Sequence, residues 1–380
     1  MNNKPNYSKG NRKEICYLIH NLGVLPYPSI KMLSKSEGSL NRTHKVICSM
    51  INDGLLEKKK MQASHGSQFL VFKNYEGNKS TLAQCIDKEC VDYYSNTHKA
   101  KLYTTWGKSN TTGMRKINEA YIESIMYGAG CDSFINQNRS PNKYFNSKEL
   151  KRWLGYKDDL NKNVLDGRKK IDFTKGYGIA ITKGGNYIPY ITWNSTLPLL
   201  SEGEHKLKNL SFEAVNKLDS NKRPIEGLML MQNINKLNNY LKSDATRADH
   251  NKLLNMFNVY SSIYLLPYTQ YGRMHLQLMC QDLWKERLIE AVFGELQNTS
   301  NINFSCHYYD DINKTGKLLF CIPDINMLYN FLIAAQSLAD KAHFEIICFD
   351  YQKDFIKTVS NGLCTIGTIS FNDYLKERGY

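Results

Sequence analysis

The chain has no apolar run approaching the ~18–20 residues that a membrane-spanning helix needs. Its start, Met1-Asn2-Asn3-Lys4-Pro5, lacks the apolar core of a secretion signal. A cytoplasmic protein with no membrane partner is therefore expected. No Cys/His spacing matches a zinc site, because the closest cysteines, Cys85 and Cys90, stand wider apart than a Cys-x-x-Cys pair. The ten cysteines are scattered, and several lie inside apolar runs such as Ile346-Ile347-Cys348-Phe349, which reads as reduced, buried thiol. Gly107-Lys108-Ser109 has the ending of a phosphate loop, but Leu102 stands where its first glycine belongs. No two of the nine histidines lie close in sequence, which argues against nickases that hold a metal with a histidine pair. With 25 tyrosines, no single one can be chosen as a nucleophile. Cys306 and His307 are sequence neighbours, so on a strand they would point to opposite faces and form no dyad. No metal and no cofactor is expected.

What is present is ordinary globular composition with an uneven charge. The 380 residues suggest two or three domains. Hydrophobic residues at 42%, charged residues at 23% and aromatics at 12% argue against wholesale disorder. The net charge is +14. Residues 1–80 carry +8, residues 81–224 carry +8 and residues 225–380 carry −2. All the excess lies in the first 224 residues, which points to a polyanion-binding front part and a neutral back part.

Residues 1–11 read as a flexible arm. From residue 12 to 22, Ile15, Leu18, Ile19 and Leu22 fall on one helix face, and Gly23 stops the helix. A short helix is expected over 29–33, after Pro26-Tyr27-Pro28. Ser39 is expected to cap a longer helix running to about Asp53 and ended by Gly54. Two strands follow, over 55–61 and 68–73, with Ala63-Ser64-His65-Gly66 between them. Helix, short helix, helix and hairpin in this order predict a winged helix-turn-helix over 12–75. Projected at 100° per residue, the third helix places Leu40, Thr43, Val46, Ile47, Met50 and Ile51 on one side. Asn41, Arg42, Lys45, Ser49 and Asn52 fall on the other, donor-rich side, as reading the major groove requires. Lys58, Lys59 and Lys60 enter the hairpin and His65 sits near its tip, suited to phosphate or minor-groove contacts. Ser39, Asn41, Arg42, Lys45, Ser49, Lys58, Lys59, Lys60 and His65 are the candidate DNA-binding residues.

Residues 76–113 are expected to be a linker containing a helix. Residues 114–224 read as a basic α+β domain, with a helix over 114–127, strands over 144–150, 176–181 and 186–193, and a helix over 200–215 that carries Glu204. Lys183-Gly184-Gly185 supplies a hairpin turn. Residues 225–380 alternate short apolar runs with helical patterns over 232–241, 274–296, 325–341 and 350–360. That alternation predicts an α/β domain with a mostly parallel sheet, suited to self-association or a protein partner. The fold class expected for the whole is multi-domain α/β. Glu149-x-Lys151 with Glu204 or Asp172 offers the alternative of a metal-dependent nuclease, which needs clustered carboxylates on a divalent ion and a lysine to polarise water.

Ile15-Cys16-Tyr17-Leu18, Asn52-Asp53-Gly54-Leu55-Leu56-Glu57 and Phe69-Leu70-Val71 carry a resemblance. So do Glu119-Ala120, the run from Tyr144 to Lys151, Gly178-Ile179, Tyr190-Ile191-Thr192-Trp193 and Glu204. Over roughly residues 12–215 the chain resembles the replication-relaxation proteins of plasmids and conjugative elements and their relatives in integrative elements. The resemblance implies a winged helix that binds double-stranded DNA in replication, transfer or transcriptional control. Members with a nuclease-like middle carry acidic pairs that have no match here, so the middle resembles a degenerate nuclease and a binding protein is expected over an enzyme. The alternative is a nuclease or relaxase-type enzyme that nicks element DNA.

Overall fold

The computed structural model describes residues 11–33, 37–60, 68–73, 78, 111–133, 140–146, 175–192, 202–218, 223–241, 254–294 and 302–379. The N-terminal arm, nearly all of the 76–113 linker, His65, Glu149, Lys151 and Asp172 lie outside the described residues. The chain folds as two compact units, Met1–Asn146 and Ser147–Tyr380. Both mix helix and strand, so the α/β class holds. Among the described residues no helix is long and apolar enough to cross a membrane.

The first unit opens with helix α1, Asn11–Leu22, whose apolar positions Ile15, Cys16, Leu18 and Ile19 are fully buried. Gly23 ends it at φ +77 by donating its N–H to the Ile19 carbonyl at 2.7 Å. A two-residue strand β1, Leu25–Pro26, leads into a 3-10 turn, Tyr27–Leu33. Helix α2 runs over Glu37–Asn52. It starts two residues before the expected Ser39 cap, so Ser39 lies inside the helix and the capping role is corrected. Its C-terminus is a Schellman motif. Gly54, at φ +74, donates to the Ile51 carbonyl, Leu55 donates to the Met50 carbonyl at 3.0 Å, and the Leu55 and Met50 side chains are both buried.

Strands β2, Leu56–Lys60, and β3, Gln68–Phe72, pair antiparallel, with Lys58 opposite Leu70. β1 adds to the other edge of β3, Leu25 opposite Leu70, giving the order β1-β3-β2. Helix α3, Thr111–Gly128, packs on α1, on β1 and on the 3-10 turn, with the rings of Tyr17 and Tyr127 5.8 Å apart. The sequence assigned this helix to the basic middle domain, whereas here it closes the core of the first unit. Short strands β4, Asp132–Ser133, and β5, Lys143–Asn146, form a parallel pair.

The second unit has a strand hairpin, β6 over Gly178–Ile181 and β7 over Asn186–Thr192, turning at Lys183-Gly184-Gly185 as expected. Helix α4, Glu202–Leu218, carries the chain to β8, Ile225–Met231, which runs parallel to β7 along its whole length. The domain boundary expected at 224/225 therefore falls inside one sheet. The charge step there reflects the basic residues before β8 rather than a break in packing. β9, Ile263–Pro267, extends the parallel run.

Helices α5, Gln270–Met279, and α6, Trp284–Phe293, replace the single helix expected over 274–296. Gly272 explains the tight entry to α5: a Cβ on it would lie 1.8 Å from the Pro267 carbonyl oxygen, and Thr269 caps its N–H.

A second sheet follows, with β10 over Tyr308–Asp310, β11 over Thr315–Leu319, β12 over His343–Phe349 and β13 over Thr365–Ile369 in that order. β10 and β11 pair antiparallel, and β11, β12 and β13 are parallel. Helices α7, Ile325–Ser337, α8, Lys353–Ser360, and α9, Phe371–Glu377, complete the unit. One sheet was expected for residues 225–380; its strands divide between two. The edge of β9 is covered instead by Pro323-Asp324: Leu265 donates to the Pro323 carbonyl at 2.8 Å, and Tyr264 forms an isolated antiparallel bridge with Asp324.

Candidate nucleic-acid interface

The polar face of α2 is built by its period. Thr43, Ile47 and Met50 point inward and are buried, which turns Asn41, Arg42, Lys45 and Asn52 outward, where all four are exposed. Among the described residues Asn41, Arg42 and Lys45 make no hydrogen bond or ion pair. Lys45 stands one turn on from the neighbouring Asn41 and Arg42, an arrangement that lets side chains reach base edges without first breaking a contact. Leu40, Val46 and Ile51 are half-buried rather than enclosed. Cys48 is exposed on the same helix and Cys364 is half-buried, departures from the expectation of buried cysteine, whereas Cys16, Cys131, Cys280, Cys306, Cys321 and Cys348 are buried. Burial pushes the Cys306 thiol up to about 11 and the Cys348 thiol to about 12, so both stay protonated.

Ser49 is engaged within the protein. Arg12 of α1 donates to its Oγ at 3.0 Å, and that hydroxyl donates to Asp53 Oδ2 at 3.3 Å. Arg12 is thereby tied beside the C-terminal end of α2, a cation at this face that the sequence did not single out. The signal was weak, since Arg12 precedes the apolar stripe of its own helix.

The three hairpin lysines are not equivalent. Lys59 pairs with Glu57 at 2.9 Å, and both side chains remain more than a third exposed, a pair worth ~0–1 kcal/mol. Lys58 reaches back to the 3-10 turn. Its Nζ lies 4.4 Å from the centroid of the Tyr27 ring and 3.4 Å from Tyr27 Oη. Tyr27 Oη in turn lies 3.2 Å from Nδ1 of His44 on α2. Lys60 is exposed and makes no ion pair among the described residues. Tyr27 and His44 were missed by sequence reasoning; the only signal was an aromatic held between Pro26 and Pro28.

Of the alternative nuclease residues, only Glu204 lies among the described residues. Glu204 sits on α4 with no exposure. Its carboxylate accepts from the Tyr190 hydroxyl at 2.8 Å, from the Gly176 N–H at 3.4 Å and from the Lys175 N–H. Tyr190 Oη also lies 2.7 Å from Tyr260 Oη. Burial, then Tyr260 and Glu204, push the Tyr190 phenol well above its ordinary value, so it stays protonated and donates. Glu204 thus fastens the chain entering β6 to its helix, and the described strand β5 stops at Asn146, before Glu149. Among the described residues no group of three His, Cys, Asp or Glu side chains could hold a metal ion. His307 gives its Nδ1 to the Leu319 N–H at 3.0 Å. A cleft of about 200 Å³ in the second unit lies beside the Gly184-Gly185 turn. Four of its charged groups are paired with one another, Arg223 with Asp282 at 3.5 Å and Lys285 with Glu226 at 2.9 Å.

No protein-family model, curated protein or solved structure matches the chain.

Proposed function

We propose that the chain is a double-stranded-DNA-binding protein whose first unit is a winged helix-turn-helix. In this reading α2 enters the major groove and the β2–β3 hairpin is the wing. The observation that carries it is the face of α2: Asn41, Arg42 and Lys45 exposed side by side on a helix whose opposite face is buried, followed directly by a lysine-bearing hairpin. The +8 charge of residues 1–80 supports it, because a basic surface gains affinity by releasing counterions from phosphates. The resemblance over residues 12–215 extends the proposal to replication, transfer or transcriptional control of a mobile element.

The test is the anisotropy of a labelled random-sequence duplex titrated with the purified chain at increasing salt. The expected result is tight binding at low salt, with log affinity falling linearly as log salt rises. Binding that is absent at low salt, or unchanged at moderate salt, removes the proposal.

A further inference from the structure

We propose that Lys58 and Tyr27 form a strut that sets the angle of the hairpin to α2, so that Lys58 governs sequence discrimination rather than phosphate affinity. The inference rests on the DNA-binding reading above and concerns how that site is held. Three elements meet at Tyr27: the 3-10 turn that carries it, α2 through His44 and β2 through Lys58.

An ammonium group can only donate, so the Tyr27 oxygen accepts from Lys58, which leaves the phenolic proton to go to His44 Nδ1. The relay runs from hairpin to turn to helix. The Tyr27 and His44 rings are 5.5 Å apart, and His44 lies between Arg42 and Lys45 in sequence on the reading helix.

The backbone reinforces the junction. Tyr27 directly follows β1, and the registers Lys58–Leu70 and Leu70–Leu25 place Lys58 in the same row of the sheet as Leu25. Movement of the hairpin relative to α2 would pull the ammonium off the ring. A lysine that holds this position keeps its charge but spends its reach on the protein. Lys60, two residues on, is placed to meet a phosphate.

The experiment first selects a preferred duplex from a randomised library with the wild-type chain. Affinity for that duplex and for a shuffled copy is then measured across salt for the wild type and for Lys58→Ala, Lys58→Arg, Tyr27→Phe and Lys60→Ala. Lys58→Ala is expected to lower the preference for the selected duplex roughly two- to fivefold, the span of a surface cation–π contact, and Tyr27→Phe, which keeps the ring and removes only the hydroxyl between Lys58 and His44, should lower it by less. The salt slope should stay unchanged in both. Lys58→Arg, which keeps a cation over the ring, should restore the preference. Lys60→Ala should weaken both duplexes equally and lower the slope by about 0.9, the value of one phosphate.

If Lys58→Ala behaves as Lys60→Ala, the strut is wrong and the DNA-binding reading stands. If the wild type binds no duplex at low salt, the reading fails and the strut's role with it. A thermal-unfolding cycle over Tyr27→Leu, which removes ring and hydroxyl together, and Lys58→Ala checks the contact in the free protein, where strict additivity of the two changes would overturn it.

Discussion

In the first unit, Asn41, Arg42 and Lys45 stand exposed on one helix face, with no hydrogen bond or ion pair among the described residues. In the second, Glu204, Tyr190 and Tyr260 are fully or nearly buried and bonded to one another, and Glu226 accepts from both Tyr264 and Lys285. The contrast is physical. An exposed side chain keeps its hydration and can exchange water for a ligand at little cost. A buried one has lost water already and must be satisfied by the protein, which makes it part of the fold. Charge does not follow the same division, since the excess extends to residue 224, inside the second unit, and near neutrality begins only at residue 225. Substitutions in the first face should therefore change binding without stability, and substitutions in the second unit should change stability.

The largest effect expected is that of Gly272→Ala. The added methyl would meet backbone 1.8 Å away, so the entry to α5 must shift. A loss of about 3 kcal/mol or more is expected for the second unit, read by denaturant unfolding. A neutral result would mean that this turn relaxes freely and that the second unit is less tightly determined than its burial implies.

Acid should next weaken the second unit. Burial holds the His275 imidazole down at about 3, and Tyr351 Oη is bonded to its Nδ1. An unfolded histidine takes up its proton near its ordinary value, about 6.5. Between those values the unfolded state binds the extra proton, so stability is complete above about pH 6.5 and falls as pH drops toward 3. At pH 5 the loss from this one residue is about 2 kcal/mol. His275→Gln should flatten this part of the pH profile of unfolding, and a profile unchanged by the substitution would show that the imidazole is solvated.

Arg42→Ala is expected to cost about 1–3 kcal/mol in affinity for a preferred duplex. Its unfolding free energy should stay within about 0.5 kcal/mol of wild type. Loss of stability in place of affinity would move this residue to the class of the buried carboxylates and break the comparison. The smallest effect is that of Asn52→Ala at the C-terminal end of the same face. It should leave both affinity and stability nearly unchanged, since a groove-reading helix contacts bases through its N-terminal residues. An affinity loss matching that of Arg42→Ala would reverse the polarity assigned to α2.

Much of the first unit was legible because its determinants are local. Gly23 and Gly54 mark helix ends through positive φ, and a 100° period separates Ile47 and Met50 from Asn41 and Lys45. The start of α2 was read two residues late, since Ser39 is a good cap by type but the chain was already helical at Glu37. Ser49 had the right period for a base contact, yet Arg12 from another helix occupies its hydroxyl. Lys58, Lys59 and Lys60 look alike in sequence and differ only because Tyr27 and Glu57 reach two of them.

The amino-acid sequence by itself determined the mixed α/β class, the order of the front elements and which side of α2 faces outward. Turn chemistry and side-chain period act within a few residues, so no knowledge of distant contacts was needed. Only the tertiary structure decided that β7 and β8 share a sheet across the charge step, and that α3 closes the first unit. It alone divided residues 225–380 between two sheets and turned Glu204 inward to Tyr190. Each of these depends on which distant surfaces meet, and a hydrophobic strand or helix face carries no label for its partner.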